Sequence, residues 1–546
     1  MNKRTFLWRT SFAAGLVLCV GAVAFGETLS VDWGRERKKV VAAGWEWAAM
    51  PFDRILEYAD QIDATGVDGV SLYLRAKGTD GKTQISSRVI DGYEWTDAMV
   101  ADQIATLRAA TRHKGLRECF IRTLGAPTTR VDWKDDAHWS RVARSMGVMA
   151  RFAKATGVRG FIVDPEDYHK QNQFEARPND EPYDLLAPLA RRRAREIFTE
   201  VFMECPEIVV LGYWLFSWHT QHVDSENPMM SARRGGDLWP AFINGILDVI
   251  PPTAKLVDGN EWAYQSEASQ NEFMISAISQ RNAALGLVAP ENRAKFRAQA
   301  FPGFGLYMDS YVGGVTNKNG KANPYYFGPV NGSRLGHFER NFAEAVACAG
   351  EYVWLWCESR SWVKWGDDVK MGWGVSRTRW EDELPGVGRV IRACTDPEAF
   401  LAKDYPELLA AGKIVNIATN DYVAASRQAL YGTHDKKEES HRGKGYFHVE
   451  DKTVLPGQHY VVDVSGTGEG LEAVAYWQKR KGGGWWRWRV PGHGLALVKG
   501  ADGRSSAKAV VRVPEGVDCL AIQFRLHPPE GKECAFDRVF VGRVTY

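Results

Sequence analysis

Several apolar runs in this 546-residue sequence end abruptly on acids. After Phe161, Ile162 and Val163 come Asp164, Pro165 and Glu166; after Val257 come Asp258, Gly259, Asn260 and Glu261; after Trp354, Leu355, Trp356 and Cys357 comes Glu358. Glu46 and Asp309 close two further runs. An acid set directly behind strand-forming residues is costly without a purpose. Paired carboxyl groups suit glycosidic cleavage, in which one donates a proton and the other acts as nucleophile or water-activating base. Strand alternation puts Asp164 and Glu166 on one side, with Pro165 stiffening the chain between them. It likewise puts Trp354, Trp356 and Glu358 on one face. The candidate catalytic residues are Asp164, Glu166, Asp258, Glu261 and Glu358.

The sequence holds 21 Trp, more than a hydrophobic core requires. An indole plate can stack on the apolar C–H face of a pyranose while polar groups bind its hydroxyls. Tyr168, Trp218, Trp262, Tyr264, Trp356 and Trp362 are the candidate sugar platforms, with Glu46, Arg75, Arg122 and Asp309 as polar partners in substrate binding. The alternatives are ordinary ones: core indoles, and acids paired structurally with Arg75 or Arg122. His219 and His222 have ligand-like spacing, but an isolated H-x-x-H is weak evidence for zinc, and no D-x-D-x-D-G loop suggests calcium. No metal or cofactor is expected. G-x-S-x-G, P-loop and dinucleotide fingerprints are absent from the sequence, which removes the esterase, NTPase and Rossmann readings.

The elements that must hold these residues alternate in type. Eight apolar runs, at 40–47, 69–74, 118–123, 160–164, 208–216, 255–260, 305–309 and 352–357, are separated by amphipathic stretches, the pattern of βαβ units. Trp139, Val142, Ala143, Met146, Ala150 and Ala153 recur at helical spacing, and Gly157 ends that helix. Gly66 and Gly115 close helices before the second and third strands. Long loops at 169–183, 219–237 and 311–335 all fall on the strand-to-helix side, where barrels build their sites. The reading is an α/β fold, a (β/α)8 TIM barrel over 27–395, then a connecting helix at 396–412. Beyond it, over 413–546, short alternating strands predict an all-β jelly-roll or sandwich, with Trp485, Trp486 and Trp488 as a candidate sugar platform.

A net charge of +2 and 45% hydrophobic residues exclude a disordered chain and a polybasic nucleic-acid binder. Residues 1–26 carry Lys3, Arg4 and Arg9, a short apolar run and Ala22-Val23-Ala24, the features of an export signal with a twin-arginine flavour, so a secreted or periplasmic product without a membrane anchor is expected. The seven remaining cysteines lack CxxC spacing, and Cys519 and Cys534 are the candidate disulfide.

The Asp164-Pro165-Glu166 ending resembles the D-x-E strand ending of family-18 chitinases, which implies Glu166 as proton donor and Asp164 as its partner. It also resembles α-galactosidase-type barrels, which implies Asp164 as nucleophile and Asp258 as acid. Over 40–365 the chain is similar to glycosidase-like barrels exported by environmental bacteria. The opening at 414–418 and the close at 534–541 are similar to the end strands of carbohydrate-binding jelly rolls. The implied function is hydrolysis of a poly- or oligosaccharide; the alternative is a glycan-binding barrel without turnover.

Overall fold

Runs rich in Val, Ile, Leu and aromatic residues become strands buried on both faces, as a parallel sheet requires. The computed structural model describes residues 37–78, 81–220, 228–314, 321–418, 445–451, 453–481 and 484–546. The export signal at 1–26, His222 and the charged stretch around Lys436 and Glu439 lie outside the described residues. Strands β1 (Lys39–Gly44), β2 (Gly69–Leu72), β3 (Phe120–Thr123), β4 (Gly160–Val163), β5 (Val209–Gly212), β6 (Lys255–Asp258), β7 (Ala300–Pro302), β8 (Phe304–Tyr307) and β9 (Tyr352–Cys357) form one parallel sheet, ordered β8-β9-β1-β2-β3-β4-β5-β6-β7. Only Gly303 separates β7 from β8, so the two are pieces of one stave and the sheet closes on itself as a (β/α)8 barrel. The seventh strand was expected to begin at Gly305. Its first half is hidden in the sequence because Pro302 and Gly303 look like a break; the Gly303 N–H still donates to Asp258 O at 2.8 Å.

The outer layer includes α1 (Trp45–Ala49), α2 (Asp136–Thr156), α3 (Tyr183–Glu204), α4 (Ser217–Thr220), α5 (Trp239–Val249) and α6 (Arg334–Cys348). Asp135 caps α2, and Gly157, in the left-handed region, ends it where the spacing predicts. Among the described residues no helix is long and apolar enough to cross a membrane.

Alternation sorts the strand residues. Val41, Ala43, Phe120, Ile162, Val209, Leu211, Val257, Tyr352 and Trp354 fill the barrel interior, while Val40, Ala42, Ile121, Phe161, Val163, Val210, Leu256, Val353 and Leu355 pack against the helices. Continuing the inward positions past the strand ends gives Trp45, Tyr73, Arg122, Asp164, Tyr213, Tyr307 and Trp356 as the top layer.

C-terminal to the barrel, a helical stretch from Pro397 to Ala410 with a π-turn over Phe400–Asp404 occupies the place of the connecting helix. Then come β10 (Ile414–Asn416), β11 (Gly445–Asp451), β12 (His459–Thr467), β13 (Leu471–Lys481), β14 (Gly484–Leu495), β15 (Val498–Lys499), β16 (Ser505–Arg512), β17 (Cys519–Leu526) and β18 (Ala535–Val544). They make two antiparallel sheets, β10-β18-β12-β16-β15 and β11-β17-β13-β14, with Val462, Val464, Ala475, Ile522, Phe524 and Phe536 in the apolar core. The first and last of these strands pair, Ile414 opposite Val544. Trp485, Trp486 and Trp488 fall on β14, and their side chains lie outside the described residues. Cys519 and Cys534 are buried thiols rather than a bridged pair: Cys519 starts β17 in one sheet, whereas Cys534 precedes β18 in the other. Helix α6 ties this region to the barrel, with Arg340 donating twice to Glu515 at 2.6 Å and Glu344 accepting from Arg512 at 3.0 Å.

The strand predicted for 40–47 stops early. Gly44 has φ +138°, and a Cβ there would lie 1.9 Å from Cys357 O, so the chain leaves the sheet at the one residue that permits it and enters α1. Glu46 consequently faces away from the barrel mouth. Its carboxylate accepts from Trp362 N at 2.9 and 3.0 Å and from Trp365 Nε1 at 2.7 Å. Glu46 and Trp362, both expected to touch substrate, instead hold each other beneath the loop after β9. Burial pushes the Glu46 carboxyl up to about 8, against the pull of those donors.

Replacing Gly44 with Ala should lower stability by about 3 kcal/mol, read by urea unfolding, because the Cys357 carbonyl is fixed in the sheet and cannot move far. Glu46 gives a pH signature. The folded chain keeps its proton up to about 8, whereas the unfolded chain releases it near the ordinary 4.5. Its contribution is therefore present at low pH and is lost as pH rises through that window. The melting temperature of Glu46→Gln should exceed that of the wild type increasingly from pH 5 to pH 8; parallel curves would refute the buried-acid assignment.

Candidate active site

The top layer of the barrel floors a cleft of about 770 Å³. Glu166, Glu261 and Glu358 enter it from β4, β6 and β9, and Trp45, Tyr213, Trp214, Trp218, Trp262, Tyr264, Tyr307, Tyr325, Trp356 and Trp373 supply most of its walls. A second lobe of about 420 Å³ shares Trp45, Glu166, Tyr168 and Trp373 with the first and is lined by Arg75, Arg88, Arg122, Asp164 and His169.

Glu358 lies two residues beyond Trp356 on the inward side of β9. Its carboxylate accepts from Tyr307 Oη and from Trp356 Nε1, both at 2.9 Å. Asp309 fixes the backbone behind it, accepting from Glu358 N at 2.9 Å and from Ser359 Oγ. Glu261 arrives differently. Asn260 takes a left-handed conformation, φ +42°, and turns β6 into the 3-10 segment Glu261–Gln265, while Glu261 N donates to Tyr213 O at 3.0 Å. Burial, and then the negative charges of Glu166 and Glu358, push the Glu261 carboxyl up to about 8, opposed by Arg122.

Asp164 pairs with Arg122, both buried, and accepts the Glu166 backbone N–H at 3.1 Å. The Arg122 guanidinium sits 5.6, 5.1 and 5.5 Å from the ring centres of Tyr73, Tyr213 and Trp356. Trp214, Trp218 and Trp262 form a run of tilted indoles with centroids 5.2 and 4.9 Å apart. Tyr264 Oη and Trp45 Nε1 are buried without a protein hydrogen-bond partner among the described residues.

Asp258 does not reach the cleft. It has the outward parity of β6, and its carboxylate accepts from Leu215 N at 2.8 Å, Phe216 N at 2.9 Å, Ser217 N at 2.8 Å and Ser217 Oγ at 2.5 Å, capping α4. His219 is buried against Asp237. Of the expected site residues, the two lobes bring together Asp164, Glu166, Glu261, Glu358, Arg75, Arg122, Tyr168, Trp218, Trp262, Tyr264, Asp309 and Trp356, and leave out Asp258, Glu46 and Trp362. Sequence reasoning missed Trp45, Tyr73, Tyr213, Tyr307, Tyr325 and Trp373. The first four stand at inward positions of strand ends, which is the signal that would have found them.

No family model and no curated protein matches the sequence. Among solved structures the chain is similar to a family-20 catalytic module of a pneumococcal exo-β-D-N-acetylglucosaminidase, at 11% identity over 72% of this chain and 92% of that one, TM-score 0.33. It is also similar to a family-18 chitinase from Pseudoalteromonas aurantia, at 12% identity over 58% and 93%, TM-score 0.28. A Bacteroidetes-affiliated family-5 cellulase matches at 11% identity over 68% and 93%, TM-score 0.37. At these identities and TM-scores each is a distant likeness, and the assignment of the barrel rests on the chain's own strand pairing.

Proposed function

We propose that this chain is a glycoside hydrolase in which Glu261 is the proton donor and Glu358 the carboxylate partner, acting as nucleophile or as the base that activates water. The observation that carries the reading is the meeting of three carboxyl groups in one aromatic cleft, with Glu261 pushed up to about 8 and so protonated at neutral pH. Glu358 suits the opposite role, since Tyr307 Oη and Trp356 Nε1 hold its two oxygens in a fixed position on the cleft floor. The indole run Trp214–Trp218–Trp262 offers stacking faces for a sugar chain, and the buried Tyr264 hydroxyl and Trp45 N–H are donors a sugar hydroxyl would satisfy. Asp164 acts through its bond to the Glu166 backbone, as a positioning residue. With residues 1–26 as an export signal, the reaction would take place outside the cytoplasm.

The experiment is turnover on a panel of oligosaccharides and aryl glycosides. Glu261→Gln should lose about 10²–10⁴-fold in kcat/KM on unactivated glycosides and much less on aryl glycosides with good leaving groups. The wild-type profile should fall above about pH 8, where the donor loses its proton, and that limb should vanish in Glu261→Gln. Glu358→Gln should be silent on every substrate. Glu166→Gln discriminates: here it removes a negative charge facing Glu261 and moves the alkaline limb to lower pH with turnover retained, whereas abolished turnover on unactivated substrates would make Glu166 the donor. Oligosaccharide binding by wild type with no release of sugar from any substrate would make the barrel a glycan-binding scaffold.

A further inference from the structure

The second lobe carries a charge pattern that bond cleavage does not need. Three arginines line it, Arg75, Arg88 and Arg122, against two acids, Asp164 and Glu166. Arg122 is matched by Asp164. Arg75 is half-buried, and among the described residues no carboxylate lies within ion-pair distance of it. Its guanidinium donates to Ala48 O and packs 5.6 Å from the centre of the Tyr73 ring. Burial pulls the Arg75 guanidinium below its ordinary value, the mark of a cation partly stripped of water without a matching anion. Arg88, exposed on the 3-10 segment Ser86–Asp91, lines the same lobe and has no ion pair among the described residues, so three arginines face two acids, Asp164 and Glu166, around one small cavity.

A planar guanidinium fork presents parallel N–H donors to a carboxylate or sulfate, and the match strengthens where water is thinned out. We infer that the second lobe is a subsite for an anionic sugar residue, one bearing a carboxylate or a sulfate ester, with Arg75 and Arg88 as its counter-charges. The substrate class is then an acidic polysaccharide whose chain runs from the aromatic lobe past Glu166 into the cationic one. This rests on the proposed function for the meaning of the cleft, but the anion contact itself requires no catalysis.

The test is calorimetric binding of the full chain to three size-matched probes: an oligogalacturonate, a sulfated oligogalactan and a neutral oligogalactan. At least one charged probe should bind wild type more tightly than the neutral one, with an affinity that falls as NaCl is added. Arg75→Met should weaken that probe about tenfold or more and leave the neutral probe unchanged. Arg88→Ser, at an exposed position, should act in the same direction, and melting curves of both variants check the fold. Whichever charged probe responds to the substitutions identifies carboxylate or sulfate. Equal binding of neutral and charged probes, no binding of any probe, or a charged-probe preference that both substitutions leave intact would overturn the subsite. The two readings fail separately: arginine-dependent binding without cleavage of any sugar leaves the subsite and removes the hydrolase, whereas cleavage indifferent to Arg75 and Arg88 does the reverse.

Discussion

The Arg122–Asp164 pair is the contact on which the mouth of the barrel depends. A guanidinium and a carboxylate buried together are not a cheap source of stability, because the loss of water costs about as much as their attraction returns. What the pair supplies is position. Asp164 accepts the Glu166 backbone N–H and so directs the β4 exit. Arg122 rests among the rings of Tyr73, Tyr213 and Trp356, and the indole of Trp356 in turn donates to Glu358. The charge of Arg122 also restrains the rise of Glu261. One buried cation thereby reaches Glu166, Glu261 and Glu358, two through hydrogen-bonded or stacked intermediaries and one through its field.

Barrel geometry makes that possible. Each strand alternates strictly between interior and helix layer, so the residue two places past the last core position is delivered to the floor of the cleft. Tyr213 follows Leu211 and Trp356 follows Trp354 in this way into the aromatic lobe, and Arg122 follows Phe120 and Asp164 follows Ile162 into the second lobe. The same rule sends the intervening residue of β6 outward, where Asp258 caps α4, whereas Glu46, in α1 beyond the turn at Gly44, leaves the mouth through that turn and bonds Trp362 and Trp365. Two acids at strand exits can thus have opposite fates through a shift of one residue.

Much of the barrel was legible in the sequence because its apolar runs and its helix periods, as in α2, are strong local signals. Parity was not. Strands buried on both faces read as unbroken apolar runs, so nothing in Leu256-Val257-Asp258 says which side Asp258 takes. The predicted strands also overran at their exits, to Trp47 after β1 and Phe216 after β5, because Trp45, Tyr213 and Trp214 look like strand residues. They are apolar because they line a cleft. The same confusion hid the cleft aromatics and made Trp362 look like one of them, while the split of β7 and β8 at Gly303 is hidden by a Pro-Gly pair that ordinarily ends a strand.

The two lobes divide the charges in a way that bears on what the cleft was built for. A surface that only held a sugar chain needs stacked indoles and hydrogen-bonding groups, and gains nothing from setting partly buried carboxyl groups against one another. The aromatic lobe instead gathers Glu166, Glu261 and Glu358 within one another's fields, close enough that two of them raise the third. In the proposed reaction Glu261, protonated at neutral pH, passes its proton to the leaving glycosidic oxygen as the C–O bond breaks, while Glu358 faces the positive charge that develops at the anomeric carbon. The mutual repulsion of these carboxyl groups supports the proposed hydrolase over the scaffold.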